Sequence, residues 1–395
     1  MRILVHDYAG HPFQVQLSRA LAKRDHEVTH LFSESIQTPK GLLSKRPDDP
    51  ATFDPRGIPL TQPFAKYRYF KRYKQEREYG RYLKREVERI RPEVALSSNT
   101  PLDPQAALLR ACRRHGARFV FWLQDIYSTA ISDLLRSKLP MLGAGIGRYY
   151  SWLERSLLRR SDEIIVITED FLSILRRWGI PEEQLHVIHN WAPVDDVPTL
   201  PKNNAWARAH GLERTFNLVY SGTLGLKHNP DLLLQLAHHF QEDPGVRVVV
   251  VSEGLGAQWL ENQRGLQNLD NLLIIGFQSF ETLPQVLASA DILVAVLEPD
   301  AGIYSVPSKV LTYLCAKRPL LLAVPTENLA ARLVEQQQAG LTVDPNDTQA
   351  FLGAADRLFA RASFRSKLGD NGRAYAEAEF AIDLLAERFE QILAP

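Results

Sequence analysis

The sequence predicts an α/β fold class: two doubly wound parallel-sheet, Rossmann-like domains facing a cleft. Three observations predict it. Short, near-continuous apolar runs alternate with amphipathic stretches, as in strands that are buried on both faces beneath covering helices. The same alternation restarts after a breaker-rich segment, WAPVDDVPTLPKNN, at 191–204. The 395 residues also exceed what one compact core usually covers. The expected domains are 1–192 and 193–375, with a C-terminal helix, 376–395, packing back on the first.

The first half opens with the strand RILVHDY, a turn at Gly10 and the amphipathic helix FQVQLSRALAKR. EVTHLFS, EVALSSN, RFVFWLQD and EIIVITE follow as further strands, separated by helical stretches. The second half repeats the grammar with FNLVYSG, VRVVVVSEG, NLLIIGF, DILVAVL and RPLLLAV, and the chain ends on an amphipathic helix, FAIDLLAERFEQILAP. Open parallel sheets bind ligands outside the carboxyl ends of their strands, at the point where strand order reverses. The loops following these strands are therefore where a site is expected.

Composition narrows the classes. The residues are 45% hydrophobic and 24% charged, ordinary for a globular protein. Net charge is +1, from 47 Lys and Arg against 46 Asp and Glu, so global electrostatics do not point to nucleic acid. Cys112 and Cys315 lie in apolar helical contexts without metal-type spacing, which suits a reducing cytosol. MRILVHDY begins directly as a strand rather than a signal peptide, and LLLAVP and DILVAVL are too short to span a bilayer. The expectation is a soluble chain.

Candidate chemistry gathers at strand ends. In YSVPSKVLTYLCAKRPLLL (304–322), Pro307, Ser308 and Lys309 stand where a loop becomes a helix. A helix start presents unpaired N–H donors and positive dipole, which suits phosphate, although Pro and Ser there also serve as ordinary caps. In SGTLGLKHNPDLLLQLA, Gly222 and Gly225 permit close backbone approach, and Lys227 is placed to meet a diphosphate from the side opposite Lys309. A plain strand-to-helix turn would look similar. Two lysine-bearing loops in one domain point to a nucleotide diphosphate. Backbone groups at Phe277 and Gln278 can read a nucleobase edge with the phenyl ring stacking, or Phe277 is a hydrophobic plug.

In the first half, His11 follows Gly10, and Asp125 follows WLQ as a sugar-hydroxyl ligand, an acceptor base or a turn former. The chain has no GxSxG, GxGxxG or GxxxxGK[ST], which argues against a serine hydrolase and standard dinucleotide or P-loop sites. No metal-ligand cluster is evident; Asp195 and Asp196 lie in the linker as polar spacers. Residues 66–91, KYRYFKRYKQEREYGRYLKREVERIR, hold eleven Lys and Arg against four Glu, interleaved with tyrosines and Phe70. Such a helix suits an anionic membrane interface, with Lys71, Arg72, Tyr73, Lys74 and Arg77 at its densest part. A solvated helix laced with i,i+4 pairs and an RNA-binding segment are the other readings.

Taken together, these segments resemble the GT-B glycosyltransferases, specifically the retaining group 1 transferases of family 4. The likeness runs through YSGTLGLKHNPDLLL, VVVVSEG, GFQSFETLPQVLASADILVAVL, PSKVLTYLCAKRPLLLAV and EQQQAGLTVDPND. In the first half it includes LSRALAKRDHEVTHLFS, WLQDIYS, SWLERSLLRRSDEIIVITE and VIHNW. The PSK form is similar to the branch that builds bacterial surface polysaccharides such as O-antigens and exopolysaccharides. The resemblance implies a nucleotide-diphospho-sugar donor, a UDP-sugar favoured, held by the C-terminal domain. It implies a lipid-linked or polysaccharide-precursor acceptor held by the N-terminal domain, hexosyl or N-acetylhexosaminyl transfer, and no metal or cofactor. The enzyme would work in the cytoplasm on the inner face of the cell membrane.

The resemblance also assigns roles. Lys227, Lys309 and the segment Ser305, Val306, Pro307 and Ser308 would take the diphosphate; Phe277 and Gln278 would take the base. Gly222, Thr223 and Glu253 fall on the donor side, Gly10 near the donor phosphates, and Asp125 and His11 on the acceptor side. Two departures stand out. Thr223 occupies a position where many members carry Arg, and the family's paired glutamates are missing. Alignment on PSK puts Thr312 at the second glutamate; Tyr304, Asp300 or Glu298 would stand for the first. A Thr hydroxyl can still bond a ribose. The rival readings are a nucleotide-sugar epimerase of the same architecture and a non-catalytic sugar-nucleotide-binding scaffold, to which the missing glutamates point.

Overall fold

The computed structural model describes residues 1–36, 40–64, 68–128, 140–225, 228–299 and 308–394. Contacts divide the chain into two units, Met1–Asn190 with Ile382–Pro395, and Trp191–Ala381.

The first unit runs β1 (Arg2–Asp7), α1 (Pro12–Lys23), β2 (Glu27–Ser33), β3 (Phe53–Ile58) and α2 (Tyr69–Ile90). It continues through β4 (Val94–Ser98), α3 (Leu102–Arg114), β5 (Arg118–Leu123), α4 (Pro140–Arg159), β6 (Glu163–Val166), α5 (Asp170–Arg177) and β7 (Leu185–Val187). Its seven strands pair in parallel in the order β3-β2-β1-β4-β5-β6-β7. Ile3, Leu4, Val5, Val120, Phe121, Ile164 and Ile165 are buried. Buried on both sheet faces, such strands read as continuous apolar runs rather than alternating ones.

The second unit holds α6 (Ala205–Ala209), β8 (Phe216–Ser221), α7 (Pro230–His239), β9 (Val246–Val251), α8 (Leu255–Gln267) and β10 (Leu272–Ile275). After these come α9 (Leu283–Ala288), β11 (Ile292–Val296), α10 (Ser308–Cys315), β12 (Leu320–Ala323), α11 (Leu329–Gln336) and β13 (Gly340–Val343). The helices α12 (Thr348–Ala360) and α13 (Ala362–Glu379) complete it. The sheet order is β10-β9-β8-β11-β12-β13. Leu218, Val248, Val250, Ile292 and Val294 pack in one cluster with Leu232, Leu236, Phe351 and Leu358 from the covering helices.

The last helix, α14 (Ile382–Leu393), belongs to the first unit. The Phe389 ring lies 4.7 Å from that of Trp122. The Glu390 carboxylate pairs with Arg24 at 2.6 Å and with His26 at 2.8 Å, and Arg118 donates to the Leu393 carbonyl at 3.0 Å. In each unit the strand order reverses once at the centre, between β1 and β4 and between β8 and β11. These are the switch points at which open α/β sheets hold ligands.

Candidate active site

In the second unit the chain leaves β8 at the switch point and turns at Gly222, whose φ of 134° is one that side-chain-bearing residues rarely adopt. A Cβ there would also lie 3.1 Å from Lys309 Cε, a tight contact. Lys309 sits in the first turn of α10, the helix that follows β11. Its ammonium donates to the Tyr220 hydroxyl and, at 3.5 Å, to the Thr223 carbonyl, and lies 3.7 Å from the Tyr220 ring centre. The Tyr220 hydroxyl in turn donates to the Thr223 carbonyl at 2.7 Å. Burial first, and the neighbouring Tyr313, hold the Tyr220 phenol well above its ordinary range, so it stays a neutral donor. Tyr313, on α10, donates to the Ser221 carbonyl at 2.9 Å and accepts from its N–H at 2.8 Å, tying the helix to the strand end. A cationic side chain is thus fixed over a glycine turn at the mouth of the sheet.

Around this core, Ser308 is exposed as the first residue of α10, and Thr312 is partly buried one turn after Lys309. The exposed Glu253, after β9, accepts from the Phe277 N–H at 3.4 Å. The Phe277 ring is 39% exposed, so it is not a buried plug. Gln278 is occupied locally: its amide oxygen accepts from Trp206 Nε1 at 3.1 Å and its amide nitrogen donates to the Gly276 carbonyl at 3.0 Å. Lys227, Ser305, Val306 and Pro307 lie outside the described residues, as do Tyr304 and Asp300.

In the first unit the organising residue is Asp7, at the end of β1 with its side chain wholly buried. Its carboxylate accepts from the Ala9 N–H at 3.1 Å, from the His11 N–H, and from the Asn99 amide at 3.4 Å. His11 Nδ1 lies 3.3 Å from Asp7 Oδ1 and 3.2 Å from the Asn99 amide nitrogen. Gly10, at φ 78°, closes the turn by donating to the Asp7 carbonyl at 3.3 Å, and its own carbonyl accepts from Gly41 at 3.0 Å. Burial opposes charge on the His11 ring, but the Asp7 charge, its hydrogen bond and Asp125 outweigh it and raise the pKa. Burial likewise opposes charge on Asp7, and the His11 charge and hydrogen bonds outweigh it, lowering that pKa.

Asp125 is partly buried in the loop after β5. That loop is fixed by Glu154 of α4, fully buried, which accepts from the Tyr127 N–H at 2.9 Å and the Ser128 N–H at 3.0 Å. Gln124 and Asn190 close it with a reciprocal amide pair at 3.2 and 2.6 Å.

The basic-aromatic stretch is helical from Tyr69 and only partly a surface feature. Tyr79, Leu83 and Val87 are fully buried, and the Tyr79 hydroxyl bonds His6 Nε2 at 3.0 Å. Arg72 pairs with the buried Glu76 at 2.7 Å and lies over the Phe64 ring. Tyr73, Lys74 and Arg77 are exposed, and Lys71 is half-buried.

Sequence reasoning singled out neither Tyr220, Tyr313, Asp7, Asn99 nor Glu154. Asn99 carries a signal, since Asn tolerates its left-handed φ of 49° at a strand end. Glu154 is a lone carboxylate on the apolar face of SWLERSLL, beside Leu153 and Leu157. Among the described residues, no group of three His, Cys, Asp or Glu could hold a metal ion.

Comparison with known proteins agrees with this layout. Residues 11–191 match the family described as glycosyl transferase 4-like domain, and residues 215–361 match glycosyl transferases group 1. The chain belongs to the GT-B glycosyltransferases of family 4, group 1 type. A protein of Escherichia coli (strain K12) named as a colanic acid biosynthesis glycosyl transferase is 23% identical over 267 residues. That match takes in 66% of this chain and 64% of the relative, so this GT-B chain spans under two thirds of that protein's length. Sucrose-phosphate synthase from Thermosynechococcus elongatus superposes with a TM-score of 0.72 at 16% identity, over 99% of this chain and 98% of that one. Anabaena HepE, solved in complex with UDP and glucose, gives a TM-score of 0.70 at 16% identity over 100% and 99%. These likenesses show the GT-B fold, two Rossmann-like halves each built on a parallel sheet.

Proposed function

We propose that this GT-B chain transfers a sugar, with retention at the anomeric carbon, from a nucleotide-diphosphate donor to a lipid-linked or polysaccharide-precursor acceptor. The observation that carries the reading is Lys309, held over the Gly222 turn at the β8–β11 switch point by Tyr220 and the Thr223 carbonyl. A preorganised cation at a strand end suits the negative charge that grows on a diphosphate as the glycosidic bond breaks. A UDP-sugar is favoured, as a fold neighbour was solved with UDP and glucose. A hexosyl or N-acetylhexosaminyl donor fits the family.

Lys227 with Ser305, Val306, Pro307 and Ser308 would share the diphosphate, and Phe277 would stack on the base. The N-terminal unit would bind the acceptor through Asp125 and His11. The leaving phosphate oxygen would itself take the proton of the entering acceptor hydroxyl on the same face of the sugar. No metal or cofactor takes part in this scheme. The proposed setting is the cytoplasmic face of the membrane, a lipid-linked acceptor calling for a membrane surface; among the described residues no helix is long and apolar enough to cross a bilayer.

Thermal-shift titration with UDP, GDP, ADP and dTDP, repeated on Lys309→Ala, tests the donor reading. A nucleotide at 100 times its Kd adds about 2.7 kcal/mol. Stabilisation of wild type by one nucleotide, lost in the variant, is the expected result. Stabilisation without transfer to any acceptor favours the second reading, a sugar-nucleotide-binding scaffold, and no stabilisation by any of them overturns the donor reading. The observation behind that alternative is a hydroxyl, Thr312, in place of a carboxylate on α10.

A further inference from the structure

The N-terminal unit carries an exposed surface that donor and acceptor chemistry leave unused. On α4, Ile146, Tyr149 and Trp152 are 40%, 47% and 62% exposed. Their three-residue spacing sets them along one solvent-facing ridge, while Leu153, Leu157 and Leu158 face the core. The Tyr149 and Trp152 rings are 6.1 Å apart. Tyr150 donates to Asp103 of α3 at 2.9 Å, which fixes the roll of α4 and keeps the ridge outward.

On α2, Phe70 is 90% exposed and Tyr73 43%, with Lys74 and Arg77 exposed beside them. Burial, the Asp103 carboxylate and the Tyr73 hydroxyl all raise the Tyr149 phenol, and Arg110 of α3 opposes them. Both α2 and α4 pack on α3, which sets the two ridges on helices that share one neighbour. Exposed Arg110, Arg148 and Arg155 frame the rings, while the carboxylates of Asp103 and Glu76 are bonded to Tyr150 and Arg72.

Large rings left in water are unfavourable unless something covers them, and rings ringed by guanidinium groups suit an interface that is apolar inside and anionic outside. We propose that this ridge, centred on Tyr149 and Trp152 with Tyr73 beside them, docks the N-terminal unit on an anionic lipid bilayer. The rings sit at headgroup depth and the arginines meet lipid phosphates. The inference deepens the membrane-side reading above, on which it rests, and shifts the contact from α2 alone to a surface shared with α4.

The test is co-sedimentation of the whole chain with vesicles of phosphatidylcholine alone, or of phosphatidylcholine mixed with phosphatidylglycerol. Wild type should bind the mixed vesicles and scarcely the neutral ones. Tyr149→Ser with Trp152→Ser should weaken binding by about tenfold or more, while Leu266→Ser, on an exposed residue of α8, should not. The fluorescence difference between wild type and Trp152→Phe isolates one ring and should shift to the blue on vesicles, a readout that survives if the double variant folds poorly. Equal binding by the double variant, an unshifted difference spectrum, or binding of a single-stranded RNA homopolymer in preference to vesicles overturns the proposal. Stabilisation by UDP is measured alongside. Vesicle binding without any nucleotide effect overturns the transferase reading alone, and the reverse result overturns the docking surface alone.

Discussion

The ammonium of Lys309 lies 3.7 Å from the centre of the Tyr220 ring and donates to that ring's hydroxyl, across 89 residues of sequence. The phenol holds the cation over the glycine turn without neutralising it, because a buried tyrosine stays protonated. If the cation stabilises a leaving diphosphate, Lys309→Ala should lower kcat by about a hundredfold or more with stability little changed, as removal of a preorganised charge does. Single-turnover kinetics with the donor found by thermal shift measure it, and near-normal turnover would exclude the role.

Tyr220→Phe separates the support from the charge. The ring stays, the hydroxyl goes, and the Thr223 carbonyl loses a donor at 2.7 Å. The expected loss of stability is about 1 kcal/mol, with a drop in kcat smaller than that of Lys309→Ala. Chemical denaturation and steady-state kinetics on the same preparations give both numbers.

Asp7 and His11 make the N-terminal turn pH-sensitive. The raised His11 contributes stability that is fully present below its unfolded pKa, near 6.5, and is lost as pH rises through its higher folded value. The lowered Asp7 contributes stability present above its unfolded value of 3.8 and lost as pH falls through its lower folded value. The stability difference between wild type and Asp7→Asn should therefore be greatest in mildly acidic solution and shrink toward either end. Denaturation midpoints of both proteins across pH test this, and a flat difference would rule the pairing out.

Two other histidines act in the opposite direction. Burial, outweighing the attraction of Asp7, lowers His6 to about 3 and His30 to about 4. Both are neutral in the fold and bind protons only when it opens, so stability falls as pH drops below about 6.5 and keeps falling toward those values. Each costs about 1.4 kcal/mol per pH unit in that window. Amide exchange in β1 and β2 should accelerate first as the solution is acidified, with α7 and β9 of the other unit lagging.

Glu154→Ala removes both acceptors of the Tyr127 and Ser128 N–H groups from a fully buried position. About 2–4 kcal/mol should be lost, the cost of two stranded donors. Proteolysis should then begin near Asp125 rather than at the chain ends.

Much of this was legible in the order of residues. The apolar runs marked every strand from β1 to β13 except β3, β7 and β13, because strands buried on both faces read as near-continuous apolar runs. The missed three lie at sheet edges and are less buried than the central strands, and β3 reads FDPRGI. The switch-point loops led to Lys309 and Gly222, since a glycine turn and a helix-start lysine announce themselves locally. Tyr220 and Asp7 did not, because a tyrosine or an aspartate closing a strand looks like any other until topology brings its partner from another strand or helix. Residues 66–91 were read by composition alone. The helical period places Tyr79, Leu83 and Val87 on one face, and that face is in the core.

The return of α14 to the first unit bears on how the chain is made. Arg118 waits for the Leu393 carbonyl, 275 residues further on, and Trp122 for Phe389. At about 5–20 residues per second, roughly 15–55 s of translation separate the two halves of that contact. Through that interval the nascent first unit shows the ribosome's surroundings a bare apolar flank, while the second unit folds as an uninterrupted stretch. The half synthesised first is thus the half finished last, and holdase chaperones should be found on it rather than on its successor.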